Sequence, residues 1–338
     1  GVEALPSSLV AVFELYLRET AKRLRVRPGH PSLPQGHIER KLADFAGELW
    51  QLGVRDLPFD RTRELVDEQG TSWDDSLVRA LEEEGVLFRD TLADLTETDA
   101  ILFDWFAGYL IADAITRRLT MAQVDTELSS TDLWAKLDGP PNDRHPLGED
   151  VQVALVGLVP RRFYGRQLWR IAPADHRDWA LISTLDLESD LLDTETIDEL
   201  EQLIRLWGPP RWRRRHPFDR LWEIRDGVEH QLNARFLHRV LAGMSVADRD
   251  LKWTEWTREN QGELLHELRA MEQVWIDGDV RDDVDDLNAR AVAWLLTSTS
   301  LALRDHATRA LQRYGRSEPA RLFALTKDML DVNDPYVA

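Results

Sequence analysis

Beyond Gly139-Pro140-Pro141 the chain alternates between segments of helical patterning and short breaks, and this alternation limits what it can fold into. Helices are expected over 148–158, 175–186, 194–206, 230–242, 245–257, 259–275, 283–296, 300–313 and 317–330. A surface helix carries one apolar stripe and must bury it against a neighbour. Paired helices with short connections therefore read as an α-solenoid. No exact sequence period is visible, so the repeats are expected to be degenerate and HEAT-like. Val151 to Val159 is apolar enough to be a buried strand, and periodicity does not separate the two states. The lack of other strand signals nearby favours helix.

The first half has a different pattern. Pro6-Ser7-Ser8 offers a cap, after which Leu9, Val12, Phe13, Tyr16 and Leu17 fall at helical spacing while Glu14 and Arg18 can face water. Pro28, Gly29, Pro31, Pro34 and Gly36 then break the chain, so residues 1–36 read as a helix and a linker. A helix is expected from His37 to Leu52 with Leu42, Phe45, Leu49 and Trp50 inward, and a shorter one from Arg61 to Glu68. Thr71-Ser72 caps a third, Trp73 to Glu84, with Leu77 and Leu81 on one face and Gly85 ending it. Val86-Leu87-Phe88 and Ile101-Leu102-Phe103 flank a polar stretch and read as a small hairpin with a long tip. A helix from Asp104 to Leu119 follows, carrying Phe106, Tyr109, Leu110 and Ile115. Three helices and then a hairpin is the order of a winged helix. The expected fold is therefore mainly all-α: an N-terminal helix and linker (1–36), a winged-helix-like module with a small β-hairpin (37–138), and a degenerate HEAT-like α-solenoid (139–338).

Composition narrows the function. Hydrophobic residues make up 43% of the chain, and thirteen Trp and ten Phe add large apolar areas, which argues for a packed core and against disorder. A net charge of −19 repels phosphate backbones and anionic membrane surfaces, although solvated helix faces alone can account for it. Zero cysteines exclude disulfides, thiolate nucleophiles and Cys-based metal sites, and fit a cytoplasmic protein. No apolar run is long enough to span a bilayer. Gly1-Val2-Glu3 lacks the basic start of a signal peptide and an initiator Met, so a piece of something longer is expected.

Catalytic motifs are not apparent. The chain contains neither Gly-x-x-x-x-Gly-Lys-Ser/Thr nor Gly-x-Gly-x-x-Gly, so no P-loop NTPase core is expected. His266-Glu267 has no second His at metalloprotease spacing and reads as a solvated helix face. Gly243-Met244-Ser245-Val246-Ala247 faintly resembles a nucleophile elbow, but Ser245 is better explained as an N-cap with Asp248 as its capping-box partner. The acidic run Asp277-Gly278-Asp279-Val280-Arg281-Asp282-Asp283-Val284-Asp285-Asp286 does not have calcium-loop spacing and suits a loop and helix start. The third helix of the winged-helix pattern, Trp73-Asp74-Asp75-Ser76-Leu77-Val78-Arg79-Ala80-Leu81-Glu82-Glu83-Glu84, offers one Arg where groove entry needs several polar or cationic residues, so DNA reading is disfavoured. Neither a catalytic residue nor a cofactor is expected in this chain.

Three segments do stand out. Arg211-Trp212-Arg213-Arg214-Arg215-His216 is a basic cluster in an acidic chain, a candidate for an intermolecular contact. The alternative is an Arg-rich loop paired with neighbouring carboxylates. The others run from His230 to Thr254 and from Ala293 to Leu311. In each, apolar helical spacing accompanies an Arg-Asp pair, Arg249-Asp250 and Arg304-Asp305, that can satisfy helix ends. Trp253 and Trp294 read as core anchors.

These segments resemble the region after the nucleotide-binding core in bacterial antiphage STAND NTPases of the Avs (AVAST) type, which have a NACHT-like core. The likeness rests on Asn233-Ala234-Arg235-Phe236-Leu237, on Arg249-Asp250 with Trp253-Thr254, on Ala293-Trp294 running into Leu303-Arg304-Asp305, and on Asn333-Asp334-Pro335-Tyr336-Val337. Upstream, Gly85 to Arg89 and Phe103 to Ala112 resemble the winged-helix end of a NACHT-type module. In such proteins an effector is switched on by a central ATPase, and C-terminal helical repeats sense a phage protein. The resemblance therefore implies a phage-protein partner and an NTPase domain with ATP and magnesium, which this chain does not itself carry. In related switches a His of the winged helix can touch the nucleotide; His30 and His37 lie nearby, but neither is assigned that role. Two other readings stay open, a DNA-associated winged-helix regulator and a helical-repeat interaction scaffold.

Overall fold

The computed structural model describes residues 8–26, 33–34, 36–206, 216–278, 280–330 and 332–334. Among the described residues the chain is mainly α-helical with one small antiparallel sheet, and it divides into two compact units, 1–187 and 188–338. No helix among the described residues is long and apolar enough to cross a membrane.

The first unit contains α1 (Leu9–Arg25), α2 (His37–Leu52), β1 (Asp56–Pro58), α3 (Phe59–Val66), α4 (Leu77–Glu83), β2 (Leu87–Thr91), β3 (Glu97–Ile101) and α5 (Asp104–Arg117). Short helices α6 (Val124–Leu128) and α7 (Thr131–Asp138) follow, then α8 (Gly148–Arg162), α9 (Leu168–Ile171) and α10 (Ala174–Ile182). Helices α2, α3 and α4 with strands in the order β1-β3-β2 form the winged helix. The third strand of this sheet, β1, was not anticipated: Asp56-Leu57-Pro58 is too short to show alternation. The hairpin strands are longer than expected and the tip correspondingly shorter, since Leu92 N–H donates to Thr96 O at 2.9 Å to close it. Helix α4 starts four residues later than expected, at Leu77 with Ser76 as its cap, because the buried Asp67 carboxylate accepts from the Ser76 hydroxyl and from Leu77 N–H (both 2.8 Å), gathering the orphan donors of the helix start.

The boundary expected at Gly139 falls inside this unit. Gly139 closes α7, and both the helix and the turn after it are fastened to α2: from α7 Lys136 Nζ donates to Trp50 O at 2.7 Å, and from the turn His145 Nε2 bonds Leu49 O at 3.0 Å. Helix α8 is packed against α5 rather than opening a second array. It is buried almost all round, which is why its sequence looked strand-like; Val151–Val159 is helix. The N-terminal helix is no separate piece either. Phe13 and Tyr16 of α1 meet Phe106 of α5 at ring distances of 5.3 and 5.1 Å.

The second unit contains α11 (Thr194–Leu206), α12 (Pro217–Glu223), α13 (Ala234–Ala242), α14 (Val246–Arg249), α15 (Glu255–Glu259), α16 (Gln261–Asp277), α17 (Asp283–Trp294), α18 (Leu301–Ser317) and α19 (Pro319–Met329). A π-helical turn, Asp250–Thr254, joins α14 to α15. Helix α13 packs against α11 and α17, and α18 against α16, α17 and α19, so neighbouring helices share each layer of core, as in a solenoid-like array. Ser245 caps α14, accepting from Asp248 N–H at 3.1 Å, and its hydroxyl donates to the Asp248 carboxylate. The acidic run feeds α17: Asp282 and Asp285 form a capping box, Asp285 also accepts from Trp275 Nε1, and Asp286 accepts from Tyr314 and Arg321.

A buried polar node and an acidic cleft in the second unit

Two of the three segments singled out by sequence, His230 to Thr254 and Ala293 to Leu311, converge. Asn233 caps α13, its Oδ1 accepting from Arg235 N–H and its Nδ2 donating to Gly227 O, both at 3.0 Å. Three residues on, Phe236 enters the core. Arg249, at the end of α14, is 1% exposed. Its guanidinium donates to Leu241 O (3.2 Å), Asn333 Oδ1 (2.9 Å), Asn333 O (3.1 Å) and Asp334 Oδ2 (3.3 Å), and it lies 5.6 Å from the Trp294 ring. One planar cation thus ties the end of α13 to the segment after α19. Trp253 is fully buried on the π-helical turn and donates Nε1–H to Trp294 O at 3.0 Å, joining α17 to the same node. A π-bulge widens the helix by one residue and re-aims its side chains. Here it places Trp253 inward while Asp250 stays exposed, accepting from the Thr254 hydroxyl.

The Arg-Asp neighbours do not pair with each other. Arg249 uses Asp334 rather than Asp250, and Arg304 donates to Ser298 O at 2.6 Å while Asp305 is exposed. Arg211, Trp212, Arg213, Arg214 and Arg215 lie outside the described residues.

Beside the node lies a cluster that sequence reading missed. Trp253 stacks on Trp256 at 4.9 Å, Phe218 meets Trp253 edge-on at 5.2 Å, and Trp222 stands 6.0 Å from Trp256. The signal was present in Trp253 and Trp256, three apart on one helical face, and in Trp222 one turn after Phe218. The indole N–H groups are anchored on carboxylates: Trp256 on Asp219 at 2.6 Å and Trp222 on Glu267 at 2.9 Å, the latter also receiving Arg225. Asp219, Glu223, Glu263 and Glu267 with Trp222 and Trp256 line an open cleft of about 310 Å³. Burial depresses the Arg225 guanidinium's basicity, with Glu267 opposing it. The arrangement brings negative charge and aromatic surface together at one opening.

The winged helix presents a second surface. Arg79, the one basic residue of α4, is held by Asp74 and by Glu83 (3.0 Å). Arg89 of β2 sits between Glu82 (2.6 Å) and Asp99 (3.4 Å), 3.8 Å from the centre of the Phe59 ring. Burial raises both carboxyls above the usual range, opposed by Arg89.

Comparison of the chain with family models, curated proteins and solved structures found no match.

Proposed function

We propose that this chain is a non-catalytic relay and recognition module from an antiphage STAND NTPase of the Avs type, coupling recognition of a phage protein to an NTPase switch carried on other residues. The observation that carries the reading is the sequestration of Arg79. A winged helix that enters a DNA groove needs free cations and amides on its third helix. Here the only arginine of α4 is spent on its own carboxylates, Asp74 and Glu83. The module is then suited to packing against protein. In the second unit, three of the residues that prompted the family resemblance, Arg249, Trp253 and Trp294, form a buried structural lock. This supports a role in which the array holds shape and transmits force rather than performing chemistry.

The purified chain is expected to show no magnesium-dependent ATP turnover, and a Walker motif is expected in the coding sequence upstream of Gly1. Robust hydrolysis by the chain, or an upstream sequence without that motif, overturns the proposal. Salt-dependent duplex binding that is lost on neutralising Arg211, Arg213, Arg214 and Arg215 would instead favour a DNA-associated regulator.

A further inference from the structure

We propose that the outer face of the winged-helix sheet, with the wing tip and the first turn of α5, docks a basic polypeptide segment of a partner protein that carries large apolar side chains among its cations. The inference rests on the reading of the chain as a protein-recognition module and names the surface and the chemistry of its partner.

One face of the sheet is buried around Leu57, Leu87 and Asp99; the other is open along β2 at Phe88 and Asp90, although Thr98 on it is buried. Leu57, Asp99 and Arg89 lie opposite one another across the strands on the inner side, so Asp56, Ala100 and Phe88 form the neighbouring row on the outer side. Phe88 is 50% exposed there. Leu102 continues the pairing beyond β3, its N–H donating to Val86 O, and it too is exposed. Phe103 and Trp105, at the start of α5, are about as open as Phe88. Scattered exposed apolar residues need no explanation, but three exposed aromatics and a leucine within eighteen residues of a single sheet and helix start are the density of apolar surface that marks interaction sites.

Leu95 at the wing tip provides an independent observation. Its φ is 68°, and it is the only described residue other than glycine with a positive φ. A side chain in this region costs about 1 kcal/mol that glycine avoids. Leu95 is also 83% exposed, so no burial within the chain compensates. The position would be more stable as glycine and wetter as asparagine. A strained, exposed leucine is explained by a contact made outside the chain.

Charge decides the occupant. Residues 86–106 carry five carboxylates and one arginine. The cations at hand are committed: Arg89 to Glu82, Glu97 and Asp99, and Arg55 to Asp104. Asp90, Asp94 and Glu97 stand exposed beside the apolar patch. A field of this sign repels nucleic acid, an anionic bilayer and a second copy of the same face, and attracts lysine and arginine.

The test uses the full chain and a fluorescent synthetic peptide alternating arginine with leucine and tryptophan, with a control in which glutamate replaces arginine. Saturable binding of the cationic peptide is expected, with none of the control. Phe88→Ser and Trp105→Ser should each weaken it by about tenfold or more. Leu95→Gly should weaken it severalfold while the thermal midpoint stays level or rises, a split that a purely structural leucine would not give. No binding by the wild-type chain, wild-type affinity in all three variants, or binding of phosphatidylserine vesicles or duplex DNA that the same variants abolish would each overturn the proposal. If the peptide fails while ATP turnover is also nil, the docking surface falls and the relay reading stands. Turnover of ATP removes the relay reading whatever the peptide does.

Discussion

Arg249 and Asp334 meet at 3.3 Å across 85 residues of sequence, both almost withdrawn from water. The pair closes the second unit, because the same guanidinium also holds Asn333 and the carbonyl of Leu241. Removing one partner of a buried ion pair leaves the other charge unsolvated and unpaired. Arg249→Ala should therefore destabilise the unit by about 3–5 kcal/mol. Asp334→Asn should cost less, about 1–3 kcal/mol, since the guanidinium keeps its three other acceptors. Urea unfolding of both variants checks the order, and equal or reversed costs would contradict this account of the node.

Gly108 lets the backbone of α5 lie close against that of α8 at Asp150. A Cβ there would lie 2.5 Å from the carbonyl carbon of Asp150. Alanine favours helix over glycine by about 1 kcal/mol, so propensity alone predicts that Gly108→Ala stabilises. Backbone cannot retract as a side-chain tip can, so the steric effect should win and the substitution should cost about 2 kcal/mol or more. A raised thermal midpoint would show that the two helices separate freely.

The two indole–carboxylate bonds beside the cleft should differ in importance. Trp256→Phe leaves Asp219 Oδ1 without its indole donor, whereas Trp222→Phe leaves Glu267 still bonded to Arg225. The expected cost is about 1–3 kcal/mol for the first and about 1 kcal/mol for the second. Paired denaturation curves of the two variants test the difference, which vanishes if both bonds are solvent-replaceable.

Much of the fold was legible because helix position is a local property. Ser245 and Gly85 announce a helix start or end with residues that lie within a few positions of it, whereas Asn233, the cap of α13, fell inside the helix expected over 230–242. Pairing over distance was not. Arg249-Asp250 looked like a couple in sequence, yet the partner of Arg249 is Asp334, and no periodicity encodes that choice. Gly139-Pro140-Pro141 looked like a domain border because it breaks a helix; what makes it an internal turn is His145 reaching Leu49, a contact between residues far apart in the chain. The strand β1 gave no signal because three residues cannot alternate visibly. The aromatic cluster was half legible, since Trp253 and Trp256 share a helical face, but the arrival of Trp222 from α12 is tertiary.

His216 should make the second unit sensitive to acid. It caps α12, its Nδ1 accepting from Phe218 N–H at 3.3 Å, and its ring rests 5.2 Å from Phe218 and 6.4 Å from Trp256. Burial pulls its pKa down to about 3 from the ordinary 6.5. The folded ring therefore stays neutral while the unfolded one gains a proton below about pH 6.5. Stability contributed by this group is complete above the unfolded value and falls as the pH drops from there towards 3. Between pH 7 and pH 5 the loss should be at most about 2 kcal/mol from this ring. Burial also depresses His145 and His238, which add loss of the same sign, whereas the raised carboxyls of Glu82 and Asp99 act in the opposite direction. A difference measurement isolates His216. His216→Asn keeps a side-chain cap without a titrating ring. Its thermal midpoint should fall less between pH 7 and pH 5 than that of the parent chain. Parallel curves would mean that the ring is protonated in the fold without penalty.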